Sequence, residues 1–124
     1  MLLWKPSLFA DMTTLARIQQ DAGQHYRNFL GTTADSESVG DFVLLYGQSM
    51  IDERNQTYEL EQYLPGWFTI GDDSGGIALL MKLDGTDGVY QCGHGAIGSL
   101  EPQLVATSFR EWHDNECPTP WNED

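Results

Sequence analysis

The chain has 124 residues, of which 40% are hydrophobic and 20% are charged. This is enough for one domain with a single core, and it excludes wholesale disorder. Nineteen acidic residues against six basic ones give a net charge of −13. Such a surface repels nucleic acid and anionic lipid, whose binding depends on Lys and Arg, and it favours a cationic partner. A simpler interpretation, in which the charge only keeps the protein soluble, stays open.

The negative charge is unevenly distributed, because residues 1–30 sum to +1 and residues 31–124 sum to −14. Two cysteines are too few for a disulfide framework at this length. The N-terminal residues lack the charged start, apolar core and cleavage site of a signal peptide. No apolar run approaches the ~20 residues that span a bilayer. We therefore expect a reduced, cytoplasmic protein that does not enter a membrane.

The N-terminal part predicts two short helices. Residues 1–10 are too apolar for a free tail and predict an ordered lead-in. Asp11 or Thr13 can cap a first helix, because a side-chain oxygen at that position satisfies an amide of the first turn. Gly23 is a plausible stop for this helix. Helical spacing resumes over residues 24–30, so we predict a second helix after the break.

The next part of the chain predicts a loop, a strand and a helix. Residues 31–40 are small and polar without an apolar period, which indicates a loop. Residues 41–47 form a short apolar run between turn formers, which is typical of a strand. Residues 49–64 have the spacing of an exposed amphipathic helix that ends before Pro65. Residues 57–61 also alternate like a strand, so that alternative stays open.

A β-hairpin is predicted over residues 63–83. Pro65 and Gly66 end the preceding element, and residues 67–70 are aromatic and β-branched, as in a half-buried strand. Residues 72–76 supply turn formers. Residues 77–83 are apolar on both faces, which is typical of a central strand covered on both sides. We therefore place this hairpin in the middle of a sheet.

The remaining elements complete an α+β domain. A turn at 84–88 precedes a third sheet strand at 89–92. A glycine-rich loop follows, and then Pro102 occupies the expected first position of a C-terminal helix. The apolar face predicted for this helix comprises Leu104, Val105, Ser108, Phe109 and Trp112. The order predicts one domain, a mainly antiparallel sheet with N-terminal helices and a C-terminal helix packed against it.

Two groups of residues could hold a metal, and we favour a structural role for both. Cys92, His94, His113 and Cys117 together provide the ligand types of a zinc site, but their spacing does not match the usual pairs. Asp72 and Asp73 lack the alternate ligand spacing of a calcium loop and suit a hairpin turn. No nucleophile and base form a known motif. We predict no catalytic residue, no metal and no cofactor.

The order of several segments resembles the SUKH superfamily, whose founding members are the fungal Smi/Knr cell-wall-assembly regulators. The resemblance covers residues 12–113, and residues 114–124 form a proline-containing tail. The segments that carry it are Tyr26-Arg27-Asn28-Phe29-Leu30, Leu44-Leu45-Tyr46, Glu53-Arg54-Asn55, Tyr63-Leu64-Pro65-Gly66, Ile70-Gly71-Asp72-Asp73-Ser74-Gly75-Gly76 and Ala106-Thr107-Ser108-Phe109-Arg110-Glu111-Trp112. The Pro-Gly bend followed by Ile-Gly-Asp-Asp-x-Gly-Gly is the most specific of them.

This resemblance implies a non-enzymatic binding domain. Bacterial members are mostly immunity proteins that neutralise polymorphic toxins, often nucleases, and fungal members are regulatory scaffolds. We therefore expect an immunity protein that binds a basic cognate toxin, with a scaffold that binds a protein or peptide as the alternative. A small metal-dependent hydrolase is a third and more remote alternative.

The acids around the central hairpin are the candidates for contact with such a partner, because a nuclease presents a basic groove that negative charge can fill. Two aromatic residues beside them could serve as anchors. The candidates are Glu59, Glu61, Tyr63, Trp67, Asp72, Asp73, Asp84 and Asp87. The sequence does not identify which sheet edge is used, and edge pairing into a homodimer stays open.

Overall fold

A computed structural model of the protein describes residues 13–122. The expectations for residues 1–10 and for Asp11 lie outside the described residues. The helices within this range are α1 (Thr14–Asp21), α2 (Gln24–Gly31), α3 (Gln48–Thr57), α4 (Leu60–Tyr63) and α5 (Phe109–Asp114). The strands are β1 (Ser36–Val39), β2 (Val43–Tyr46), β3 (Trp67–Asp72), β4 (Ile77–Lys82), β5 (Val89–Gly93) and β6 (Gln103–Ala106). Two short 3₁₀ turns cover His94–Ala96 and Pro120–Asn122.

The strands form one six-stranded sheet in the order β1-β2-β3-β4-β5-β6, and every neighbouring pair is antiparallel. The hairpin of β3 and β4 therefore lies in the middle of the sheet, as predicted. Helices from both ends of the chain pack against the sheet. The predicted α+β class with an antiparallel sheet is confirmed. Among residues 13–122, no helix combines the length and the hydropathy needed to cross a bilayer.

The sheet has two buried faces of unequal size. Because side chains alternate along a strand, Leu79 and Met81 of β4 lie on one face, and Ala78 and Leu80 lie on the other. The first face, which we call the helix face, carries the larger core and is covered by helices α1, α2, α3 and α5. The second, the open face, is covered mainly by Leu60 of α4 and the segment after β5.

Aromatic rings form the centre of the core on the helix face. Tyr26 of α2 is fully buried, and its ring centroid lies 5.3 Å from that of Phe68 and 5.2 Å from that of Phe109. Phe29 packs 5.4 Å from Phe109 in the same cluster. Burying a phenylalanine such as Phe68 or Phe109 contributes about 1.5–3 kcal/mol, and offset or edge-on ring pairs add to this. These contacts join α2, α5 and β3 into one core.

The break between the first two helices is confirmed at the predicted place. Thr13 caps α1, and its hydroxyl accepts a hydrogen bond from the amide of Ala16. Gly23 precedes α2, and a Cβ there would lie 2.8 Å from the backbone carbonyl oxygen of Thr86 and 2.3 Å from Oδ1 of Asp87. Glycine is therefore required by the close approach of the β4–β5 loop to the start of α2.

The prediction of a loop over residues 31–40 is wrong in part, because β1 occupies residues 36–39. In this strand only Val39 is buried, and Ser36 and Ser38 face solvent. Such an edge strand has no apolar alternation of its own. It is held by its pairing with β2, which the local sequence does not reveal.

The prediction of one C-terminal helix beginning at Pro102 is also wrong. Leu104 and Val105 belong to the edge strand β6, and α5 begins only at Phe109. Ser108 caps this shorter helix, since its hydroxyl accepts a hydrogen bond from the amide of Glu111 at 3.2 Å. Pro102 instead precedes an edge strand, a place where its missing N–H costs little.

The single helix predicted over residues 49–64 is divided into α3 and α4, and the strand alternative for residues 57–61 is wrong. Glu59, between the two helices, has a left-handed φ of 54°. The division lets the two helices pack on different faces of the sheet, because Ile51 of α3 is buried on the helix face and Leu60 of α4 is buried on the open face. The chain therefore crosses from one face of the sheet to the other at this break.

The tail after α5 is fastened to the domain. The indole N–H of Trp112 donates to the carbonyl of Pro118 at 3.1 Å. The indole N–H of Trp121 donates to Oδ2 of Asp73 at 3.0 Å. Cys117 is buried in the core between these two anchors, and burial raises the pKa of its thiol to about 12.

Candidate functional site

The eight candidate residues lie at opposite ends of the central hairpin. At one end Trp67 pairs with Lys82, and at the other Asp72 pairs with Ala78. The five residue steps from Trp67 to Asp72 separate these ends by roughly 17 Å, at about 3.4 Å per step. Glu59 and Glu61 share a cleft with Trp67, Tyr63 shortly precedes Trp67, and Asp84 and Asp87 follow the end of β4 that pairs with it, and we call this end of the hairpin the acidic end. The structure therefore does not bring all eight candidates together.

Asp72 and Asp73, at the far end, are both engaged in holding the fold. Oδ2 of Asp72 accepts a hydrogen bond from the hydroxyl of Tyr46 at 2.6 Å, and its Oδ1 accepts one from the amide of Ser74. Oδ1 of Asp73 accepts bonds from the amides of Gly75 and Ile77, and its Oδ2 receives the indole N–H of Trp121. These bonds account for both carboxylates as anchors of the β3–β4 turn.

A cleft of about 390 Å³ lies at the acidic end. The side chains lining it come from the start of α1, from α3, from α4 and from the adjoining ends of β3 and β4. They are Thr13, Thr14, Arg17, Asp52, Asn55, Gln56, Glu59, Leu60, Glu61, Gln62, Trp67 and Leu83. The cleft thus combines an apolar wall with a polar and mostly acidic rim.

The acidic side chains around this cleft differ in their exposure and in the groups that they contact. Glu59 and Glu61 are exposed, and 3.7 Å separates Oε1 of Glu61 from Nη1 of Arg17. Asp52 holds the fold, because its Oδ1 accepts the amide of Leu15 at 2.8 Å and so fastens α1 to α3. The Glu61 side chain of this pair is 60% exposed, and an ion pair with a solvated partner contributes less than about 1 kcal/mol, so the rim stays available to a stronger partner.

Aromatic side chains continue from the cleft onto the open face. Tyr63 is 52% exposed. Trp67 meets Tyr90 edge-on, with 4.8 Å between ring centroids, and Nζ of Lys82 lies 5.2 Å from both rings. The ammonium group holds the two rings in place by cation–π attraction. Trp67 is consequently a half-buried, oriented ring at the border of the cleft.

The other two acids at this end differ in their availability. Asp84 is exposed, and hydrogen bonds from Thr86, helped by the nearby Lys82, hold the pKa of its carboxyl below the usual range. Asp87 is half-buried against Gly23, and its Oδ1 is covered by neighbouring atoms. Asp84 can therefore meet a partner, whereas Asp87 packs within the fold.

The four potential zinc ligands do not come together. Cys92 is buried on the open face, and Cys117 is buried on the helix face, so the sheet separates them. Nε2 of His113 lies 2.7 Å from Oε1 of Glu37 on the edge strand β1. Among residues 13–122, no group of three or more His, Cys, Asp or Glu side chains is placed to hold a metal ion.

His94 is stacked on Tyr58, with 4.3 Å between ring centroids and 8° between ring planes. Burial lowers the pKa of His94, and Arg54 adds to this effect, whereas Asp72 and Asp73 oppose it. In the unfolded chain the group titrates near the ordinary value of about 6.5. The folded state therefore binds fewer protons than the unfolded state just below that pH.

We expect the free energy of unfolding to fall as the pH is lowered from about 7.5 to about 5, because protonation of His94 favours the unfolded chain. In His94→Phe, which keeps a flat ring against Tyr58, this fall should be smaller. Urea unfolding at a series of pH values measures it. His25→Phe, at an exposed histidine, is the matched control, and an equal change in both variants would contradict the assignment.

The side chain of Asn55 has a structural role that the sequence does not reveal. It is 4% exposed, its Nδ2 donates to the carbonyl of Thr69 at 3.0 Å, and its Oδ1 accepts the amide of Thr69 at 2.8 Å. Strand β2 pairs with β3 only at Leu44 and Leu45. The side chain of Asn55 therefore bonds to the backbone of β3 at Thr69, which β2 does not reach. A single Asn in a polar helix carries no pattern that would predict this.

Comparison with known proteins adds no relative to these observations, because no protein-family model matches the sequence and a search of curated proteins found no match.

Proposed function

We propose that this chain is a protein-binding domain of the SUKH type that acts as an immunity protein and sequesters a basic cognate toxin at the acidic end. The observation that supports this most is the placement of Glu59, Glu61 and Trp67 around one cleft. Tyr63, which is exposed, lies on the same helix as Glu61. Interfaces commonly combine an aromatic anchor with a charged rim in this way.

Charge supports a basic protein over other partners. The chain has a net charge of −13, and residues 31–124, which contain the whole sheet, carry −14. A field of this strength steers a cationic protein towards the surface and raises its association rate at low salt. Nucleic acid and anionic lipid would be repelled by the same field. The two buried free thiols, Cys92 and Cys117, are compatible with the reducing cytoplasm, where we place the complex.

The proposal is tested with the product of the toxin gene that would lie beside an immunity gene, used as a catalytically inactive variant. We expect a complex whose association rate falls steeply between about 50 mM and about 500 mM salt, because screening shortens the reach of the field. Surface plasmon resonance measures both rates. Absence of binding at low salt would contradict the proposal, and binding to a non-toxin protein would favour the regulatory scaffold.

A charge-reversal pair identifies the surface. In Glu59→Lys/Glu61→Lys we expect the affinity to fall about tenfold or more, mainly through the association rate. Both side chains are exposed, so the fold should persist.

The matched control is Asp41→Lys/Asp114→Lys, which changes the net charge equally at exposed positions outside the cleft. An equal loss in both variants would show that the overall charge, and not the acidic end, determines binding.

A further inference from the structure

Strand β6 is an edge of the sheet with an exposed apolar surface. It pairs with β5, and within residues 13–122 no strand pairs with its other side. Leu104 in this strand is 54% exposed, and Leu100 just before it is 66% exposed. An unpaired strand edge offers backbone N–H and C=O groups to a further strand.

This edge carries little of the negative charge of the chain. Residues 88–107, which include β5 and β6, contain one carboxylate, Glu101, and neither Lys nor Arg. A basic partner would gain little attraction here. A second copy of this chain would be repelled less at this edge than at the acidic surfaces elsewhere.

The opposite edge of the sheet is different. Strand β1 contains Glu37 and is flanked by Asp35 and Asp41. His113 from α5 lies against Glu37 with a separation of 2.7 Å between the two side chains. Charges on an edge strand discourage pairing with another chain. Strand β6 has no such protection in its own four residues.

We propose that β6 is the interface of a homodimer, in which the β6 strands of two copies pair antiparallel across a two-fold axis perpendicular to the sheet. Such an axis keeps the two faces of the sheet continuous from one copy to the other. In the paired strands, each residue must lie opposite a residue whose side chain is on the same face of the sheet. A register centred on Leu104 meets this requirement and places the exposed Leu104 of one copy opposite the Leu104 of the other.

The apolar surface on either side of this axis then becomes continuous. Leu104 is in register with Tyr90 of β5, and Leu80 of β4 is in register with the same Tyr90. Side chains in register lie on one face, so the paired Leu104 residues extend the apolar surface of the open face into the second copy. The acidic end, at Glu59 and Glu61, is on other elements and is not needed for this contact.

Sedimentation velocity of the full chain tests the proposal between about 10 µM and about 1 mM, a range that covers a dissociation constant in the micromolar region. We expect a monomer–dimer equilibrium whose dissociation constant falls as salt is added, because salt screens the repulsion between two copies of charge −13. This response is opposite to that expected of the toxin complex, so the two proposals can fail separately. A monomer at all concentrations and salt conditions would overturn the inference.

Substitutions at Leu104 identify the interface. Leu104→Glu and Leu104→Lys each place like charges across the two-fold axis, and we expect each to weaken self-association about tenfold or more. An equimolar mixture of the two variants should associate again, since opposite charges then face each other. The exposed Phe42 on the β1–β2 turn gives the matched control, Phe42→Glu.

Three outcomes of this series would overturn the proposal. They are a dimer that survives both Leu104 substitutions, a dimer weakened equally by Phe42→Glu, and a mixture of the charged variants that stays monomeric. Loss of the toxin complex in Leu104→Glu, with a chain that is monomeric throughout, would assign the edge to a foreign strand and would also overturn it.

Discussion

Replacing Asn55 by Ala should lower the free energy of unfolding by about 3 kcal/mol, because it leaves a buried backbone donor and a buried acceptor without partners. Both groups belong to Thr69, which is fully buried and whose amide and carbonyl bond to the Asn55 side chain. For a domain of this size such a loss lowers the melting temperature by about 10 °C. Urea unfolding with linear extrapolation measures it.

Two variants test whether the hydrogen bonds are the cause. Gln56→Ala, one residue along the same helix at an exposed position, should change stability by less than about 0.5 kcal/mol. In Asn55→Asp the carboxylate cannot donate to the Thr69 carbonyl, whereas the protonated acid can. Its deficit relative to the parent chain should therefore shrink as the pH falls from about 7 to about 4. Equal stability of Asn55→Ala and Gln56→Ala would refute the role of Asn55.

Replacing Gly71 by Ala should be similarly damaging, at about 3 kcal/mol, because there is no room for a side chain. A Cβ at this position would lie 2.3 Å from the carbonyl oxygen of Leu44, which is backbone and cannot rotate away. Gly71 also provides one of the two pairs between β2 and β3. The clash would therefore separate β1 and β2 from the rest of the sheet.

Gly76→Ala is the matched control, since within residues 13–122 no atom beyond its chain neighbours lies within 4 Å of the added Cβ. The same chemical change there should alter stability by less than about 1 kcal/mol. Chemical denaturation of both variants, with hydrogen exchange of the β2 amides, measures the difference. Equal stability of the two variants would show that the β2–β3 contact adapts to a side chain.

Asn55 and Gly71 explain why we expect the middle of the sheet to tolerate few substitutions. Strand β2 leaves β3 after two pairs, and helix α3 replaces it with the side chain of Asn55. The close approach at Gly71 marks the last contact before this separation. The same separation leaves room for the cleft at the acidic end, and Asn55 is one of the residues that line this cleft. The scaffold and the proposed binding surface are therefore parts of one arrangement.

Local chemistry in the sequence was enough to predict the central hairpin, the break at Gly23 and the α+β class. In these segments the turn formers, the caps and the apolar alternation all act within a few residues of the element they define. The acidic balance and its uneven distribution are likewise properties of composition. Nothing beyond the chain itself is needed to recognise them.

Tertiary structure decided the edge strands, the role of Asn55 and the grouping of the candidate residues. Strand β1 has one buried side chain, and the apolar residues of β6 also fit a helix, so both strands depend on pairing with a neighbour. Asp72 ends the strand that Trp67 begins, and Asp73 follows it, yet the length of that strand separates both carboxylates from Trp67. A strand places its two ends far apart, and only the folded chain shows which carboxylates remain free to meet another molecule.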